Sequence, residues 1–364
     1  MSVRFGGFAL ALLAATAGAA DTSLDAKAIA LNKKLLNLDS HSDVLIDSTP
    51  ERYWGPDHSS RTDLAKLRAG GVDAVAFAIA VGPGPRTPEG VAEARKEADL
   101  KLAAIRNFVR QSEGRAQIAL TAADIERLRK QGKIAVIETF LNARSLGKNV
   151  NGIDEFYKAG VRVFGLTHAG NNDFADSSRP QNGEGEEHHG LSPLGKEAIA
   201  HLNSLGAIVD VSQLTPAGVF QVLSLTRAPV IATHSDVRAL VDNTRNLSDE
   251  ELDAIKKNGG VVSAVPFNAY LTKLPPDSGE KATLEDYVNH IDYLVQRIGI
   301  DHVGIGTDFN HGSGIPGFND ESEAPNVTRE LLRRGYTEAR IAKIWGGNFL
   351  RVFREVEAVS KKLR

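Results

Sequence analysis

The chain has 364 residues, with 43 lysines and arginines against 46 aspartates and glutamates, a formal charge of −3. Its 42% hydrophobic and 24% charged residues can build a large core, which excludes a disordered chain, a fibrous repeat and a small stapled scaffold. The balance lacks the basic excess that phosphate binding needs, so no nucleic-acid partner is expected, and with no cysteine any metal must be held by His, Asp, Glu or another oxygen donor.

In chain order, residues 1–20 read as a signal peptide. Arg4 precedes the apolar run Phe8–Ala15, and Ala17-Gly18-Ala19 supplies the small residues of a cleavage site. The run is shorter than the ~18 apolar residues of a spanning helix. Residues 21–364 are then a single exported domain, periplasmic in a Gram-negative cell, with no integral membrane segment after signal cleavage. A lead-in helix is expected over Leu24–Asn37. Strands follow at Leu36–Asp39 and Val72–Ala80, then helices at Glu89–Arg110 and Ala122–Lys130, then strands at Ile134–Ile137 and Arg162–Leu166. The second half alternates helix and strand: Pro193–Leu205, Ala207–Val211, Pro216–Ser224, Val230–Ala232, Asp249–Lys257, Val261–Val265, Leu284–Arg297 and Val303–Ile305. Such alternation implies parallel pairing through crossover helices, and eight units imply an α/β fold of the (β/α)8 TIM-barrel type. An open doubly wound sheet fits less well, because no Gly-x-Gly-x-x-Gly opens the first unit. Long polar loops at Ala169–Leu191 and Asn310–Ala324 follow the fourth and eighth strands, on the face where barrels carry active sites.

Chemistry-bearing residues gather at the ends of these strands. The first runs into Asp39-Ser-His-Ser-Asp43, where His41 and Asp43, two apart, share a direction and can present a nitrogen and an oxygen to one ion. Glu138 closes Ile134-Ala-Val-Ile137, His168 ends Phe164-Gly-Leu-Thr167, His234 ends Val230-Ile-Ala-Thr233, and Asp308 ends Val303-Gly-Ile-Gly-Thr307. A strand-end polar residue is by itself an ordinary cap. Five strand ends of one barrel carrying His, Asp or Glu suit a mono- or dinuclear hydrolase site at the C-terminal end of the strands. His58, His188, His189, His201, His290 and His302 read as surface or packing residues.

These motifs resemble the membrane (renal-type) dipeptidases of the amidohydrolase superfamily. The likeness rests on Asp39-Ser-His-Ser-Asp43, Gly160–His168 with Asn171-Asn172 and Ala175–Ser178, Gly190–Gly195, Ala228–Ser235, Arg245-Asn246, Gly304–Phe309 and Gly346–Arg351, in that order. The resemblance implies an exported zinc dipeptidase, a homodimer, with one or two zinc ions per chain and dipeptides as substrate. His41 and Asp43 would bind one zinc, Glu138 would bridge to a second, and His234 would bind that second ion. Asp308 would contact the first metal or its bound hydroxide and move the proton. His168 would polarise the scissile carbonyl, and Arg245 would hold the substrate carboxylate. Tyr270, after the seventh strand, is a candidate for the pocket wall.

Two positions depart from the family pattern. Val209-Asp-Val-Ser-Gln213 places an amide where the family has a histidine, so Gln213 would be a poorer second-zinc ligand than imidazole. Thr139-Phe140 stands where two glycines are usual, and the bulk is expected to narrow the pocket beside Glu138. These departures keep two further readings open: an enzyme of the same fold tailoring a secreted peptide metabolite, and a degenerate peptide-binding member.

Overall fold

The computed structural model describes residues 22–181, 183–274 and 279–363; the expected signal segment lies outside them. A helix over residues 22–34 leads in. It stops short of the expected Asn37 because that side chain turns back onto Asn32 O (2.6 Å) and Gly71 O (2.8 Å), steering the chain into the first strand.

Nine parallel strands follow: β1 Leu38–Asp43, β2 Ala74–Ala80, β3 Ala116–Ile118, β4 Ile134–Leu141, β5 Val163–Gly165, β6 Ile208–Asp210, β7 Ile231–Ala232, β8 Val261–Ala264 and β9 Val303–Ile305. All but β3 pair in the order β1-β2-β4-β5-β6-β7-β8-β9. The ends of this ribbon meet where Asp43 N donates to Phe309 O (2.9 Å) and Asp308 N to His41 O (2.8 Å), which makes the expected eight-stranded barrel. The extra strand β3 pairs with β4 at residues 134–136, and β5 takes over the same edge from Thr139. Only Ala-Gln-Ile long, β3 carries too little apolar pattern to be read from sequence.

Side chains alternate across the wall with period two. Leu38, Ala74, Ala76, Ala135, Ile137, Val163, Ile208, Ile231 and Val261 fill the lower barrel, stoppered by Phe349 and Phe353 of the C-terminal helix Asn348–Leu363. Val75, Phe77, Ile79, Val136, Phe140, Phe164 and Val209 face outward and pack under the helices. Three of those helices, Pro88–Gln111, Pro193–Leu205 and Pro216–Leu225, start with a Ser or Thr cap followed by proline. The cap oxygen accepts from the third helical N–H, at Gly90, Gly195 and Gly218. Just past β9, a Cβ on Gly306 would sit 2.1 Å from Thr233 O, so only glycine lets the chain pass that close to the end of β7.

Candidate metal centre

The mouth of the barrel is built where β1, β7 and β9 end. A register irregularity in β1 between Asp39 and Ser42 lets Ser40 donate to Thr233 O (2.8 Å) or Ile305 O (2.9 Å) while His41 faces the mouth. The rings of His41 and His234 stack with centroids 3.8 Å apart and 22° between planes. His41 Nε2 lies 3.8 Å from Asp308 Oδ1. Among the described residues, His41, His234 and Asp308 form the group that can hold an ion, each offering an atom within 4.8 Å of the others, all three buried.

What stands behind these donors fits that use. Thr233 Oγ1 donates to Asp210 Oδ2 (2.6 Å) and accepts from His234 Nδ1 (2.8 Å), with His41 Nδ1 at 3.4 Å. The outer-shell bond leaves the His234 Nε2 lone pair facing inward, and the buried Nε2 of His41 has no hydrogen-bond partner. Burial pushes both rings' pKa values down, which keeps them neutral, the ligand form. Asp308 is held in a left-handed backbone conformation (φ 51°), and burial together with Asp43 raises its carboxyl well above the usual range, against the pull of Arg245 and Arg179. Gln213 is left-handed too (φ 70°), pinned by Ser178 N and Thr167 Oγ1 on its carbonyl. Non-glycine residues in that region cluster at functional sites. The Gln213 amide nitrogen is 3.0 Å from His234 Nε2, and its buried Oε1 is unpartnered, an oxygen that a half-turn of the amide brings to the same ion.

Other expected ligands are placed differently. Asp43 is buried at the mouth but outside the three-residue group: its Oδ1 lies 3.6 Å from Lys101 Nζ and its Oδ2 3.5 Å from His311 Nδ1. Glu138 does not reach the centre. β4 runs three residues past it to Leu141, so Glu138 is mid-strand, in phase with outward-facing Val136 and Phe140. Its Oε1 meets Arg106 Nε at 3.4 Å, and a Cβ on Gly160 would lie 2.6 Å from its Oε2. Burial raises its carboxyl while Arg106 and Arg162 oppose the rise, and no residue of the mouth contributes. The bridging role expected for Glu138 is therefore corrected. Thr139, with its hydroxyl spent on Phe77 O (3.2 Å), and Leu141, packed with Ala78 and Ala80, face inward instead. Phe140 packs outward against Phe156 and Phe164 at 4.9 and 5.5 Å, so it does not narrow the pocket.

His168 Nδ1 lies 3.1 Å from Val81 O, and its Nε2 is 3.2 Å from Arg179 Nη2. Burial, His311 and Arg179 push its pKa well down, so the neutral ring donates to Val81 through Nδ1 and accepts from Arg179 through Nε2. Both ring nitrogens of His168 are then committed to protein partners, Val81 O and the Arg179 guanidinium. Arg245 donates to His234 O (3.0 Å), and its guanidinium carbon lies 5.4 Å from the Tyr270 ring centroid, so the structure brings these two candidates side by side.

Sequence reasoning missed Lys101, Arg179 and His311. Arg179 follows directly on the Ala175–Ser178 motif, and His311 lies three residues past Asp308. Lys101 had a signal of its own: it continues the buried stripe Gly90, Ala94, Ala98 on the helix Pro88–Gln111, where an apolar residue is the rule. The six histidines set aside stay away from the centre. His290, for example, is buried and accepts from Val237 N (3.1 Å), and His302 Nδ1 meets Gly260 O (2.8 Å).

Two imidazoles, a carboxylate and a neighbouring amide oxygen make a donor set for one divalent ion. No second set with a bridging carboxylate is assembled among the described residues.

The chain matches the family model described as membrane dipeptidase (peptidase family M19) over residues 25–364. It is 38% identical over 247 residues to the dipeptidase tcpJ of Claviceps purpurea, covering 68% of this chain and 56% of that protein's length. It is 32% identical over 315 residues to the dipeptidase verJ of Clonostachys rogersoniana, covering 84% of this chain and 78% of that one. Among solved structures, the probable dipeptidase PvdM from Pseudomonas aeruginosa superposes with a TM-score of 0.87 at 38% identity, covering 93% of this chain and 99% of that chain. A metallopeptidase from Rhodobacter sphaeroides, liganded with a phosphinate mimic of the dipeptide L-Ala-D-Ala, superposes with a TM-score of 0.79 at 25% identity, covering 88% of this chain and 99% of that chain. No helix among the described residues is long and apolar enough to cross a membrane. The chain belongs to the membrane dipeptidase family, peptidase family M19.

Proposed function

We propose that this chain is an exported metallo-dipeptidase that hydrolyses the peptide bond of dipeptides with one divalent ion, zinc, held by His41, His234 and Asp308. The observation that carries this reading is the convergence of two neutral imidazoles and a carboxylate within 4.8 Å at the barrel mouth. A divalent ion in that set would supply Lewis acidity and an activated water at neutral pH, in a chain that has no cysteine nucleophile. Asp308, its carboxylate at the ion, takes the proton of the attacking water and delivers it to the leaving amine. Arg245, braced by His234 O and Tyr270, pairs with the terminal carboxylate of the substrate and so limits it to short peptides. Arg179 donates to the carbonyl oxygen as negative charge grows there, and His168 positions it.

The charge and cleavage pattern of residues 1–20 supports export, to the periplasm if the source is Gram-negative. The ligand of the Rhodobacter sphaeroides relative supports a dipeptide substrate and puts a D-configured second residue on the assay panel. The test is metal analysis of protein purified without chelator, paired with hydrolysis of L,L- and L,D-dipeptides. Asp308→Asn is expected to lower turnover by at least about 100-fold. Zinc-loaded protein that releases no amino acid from any member of the panel would overturn the activity.

A further inference from the structure

We propose that Lys101 takes the place of a second metal ion, so that this mouth is built for one ion beside a fixed ammonium. The inference rests on the metal reading above and goes beyond it to the ion count and to a residue with no assigned role.

Three features of the chain remove the means of holding a second ion. The inner face of β4 carries Thr139, whose hydroxyl is committed to Phe77 O, and, nearest the mouth, the apolar Leu141 beside Ala78 and Ala80, while the carboxylate of Glu138 is turned outward to Arg106. Gln213 puts an amide beside His234, already 3.0 Å from its Nε2. The third is Lys101 itself. It sits on the buried stripe of the helix Pro88–Gln111, 8% exposed, and its Nζ lies 3.6 Å from Asp43 Oδ1. A lysine in that setting is tolerated when a carboxylate faces it, and Asp43 is that carboxylate.

A divalent ion at Asp43 would have to share the carboxylate with this ammonium at close range, where two positive charges in a buried site repel strongly. His311 Nδ1 occupies the other side of Asp43 at 3.5 Å. Both carboxylate oxygens thus lie at ion-pair distance from nitrogen groups of the chain, and Oδ1 makes no hydrogen bond. Lys101, Asp43, His168, His311 and Glu97 line one cavity of about 120 Å³, so the ammonium also places positive charge where part of the substrate enters.

The experiment is zinc stoichiometry and affinity on chelator-stripped full-length protein, by elemental analysis and calorimetric titration, with a dipeptide assay on the same samples. Wild type is expected to take up one zinc per chain. The double variant Leu141→Glu/Gln213→His, with Lys101 kept, is expected to hold a second zinc at least tenfold more weakly than the triple variant that adds Lys101→Met. Circular dichroism checks the fold of each, and Lys101→Met alone, which lacks a bridge, is expected to stay at one zinc. Two zincs in the wild type, or equal second-site affinity in the double and triple variants, would overturn the proposal. One zinc without dipeptide turnover would instead sink the activity reading and leave this one standing.

Discussion

Glu138→Gln separates the geometry described here from the bridging role that the family motif implies. The glutamate is fully buried, and its ion pair with Arg106 is 3.4 Å long, but the arginine side chain is 47% exposed. Solvent screening holds such a pair to about 1 kcal/mol or less. Against that loss stands a gain, because burial raises the Glu138 carboxyl and an amide of the same shape carries no charge to desolvate. The two terms oppose, so stability should change by no more than about 1 kcal/mol, a few degrees in Tm. Zinc content should stay at the wild-type value, and kcat/KM within about twofold. A bridging ligand would behave otherwise: even outer-shell partners of a metal cost 10- to 100-fold in affinity or activity when removed, and a ligand shared by two ions costs more. Arg106→Met supplies the counter-check, since it strands the buried carboxylate and should destabilise more than Glu138→Gln does. The assay is metal analysis and dipeptide kinetics on both variants, with thermal unfolding alongside. A folded Glu138→Gln protein that loses its metal would refute the placement of this side chain and the register of β4 with it.

The remaining predictions concern the cavity, the core and the acid limb of stability. Arg179→Met should lower kcat by about 100-fold with a smaller change in KM, whereas Arg245→Met should act chiefly on KM; a purely KM effect at Arg179 would remove it from carbonyl polarisation. Gly306→Ala should cost at least about 2 kcal/mol in urea unfolding, because its Cβ would meet Thr233 O at 2.1 Å and backbone must move; a neutral result would contradict the close approach of these segments. His290 is buried and its pKa is lowered from 6.5 to about 4, mainly by desolvation. The unfolded chain therefore binds the extra proton first, and stability should fall by about 3 kcal/mol as pH drops from about 6.5 to 4, being fully present above that window. Denaturant titrations at pH 4.5 and 7 should show this loss shrinking in His290→Gln, and an unchanged loss would exclude His290 as its source.

Much of this architecture was legible because parallel strands buried on both faces read as short apolar runs, and the eight expected runs all became strands of the barrel. The same burial explains the placement of Glu138. Ile134-Ala-Val-Ile-Glu-Thr-Phe-Leu is buried at every position, so its pattern does not tell the inner face from the outer. Glu138 and Thr139 are adjacent, and alternation sends one to the helices and the other, with Leu141, to the barrel interior. A motif match can settle which strand carries a carboxylate and still miss its phase by one residue. His41, His234 and Asp308 escaped that ambiguity because each comes where its strand joins the mouth, with pairing partners that fix its direction: His41 O accepts from Asp308 N, and Thr233 ties His234 to Asp210. Lys101, Arg179 and His311 come from a helix and two loops, whose approach to the mouth depends on the closed barrel and not on any local period. All three bring nitrogen groups to Asp43 or His168. The same mouth that loses a carboxylate at β4 and an imidazole at Gln213 thus gains a buried ammonium at Asp43. A second divalent ion needs carboxylates and neutral imidazoles, and each of these changes moves the site away from that need, so together they favour one ion more strongly than any of them alone.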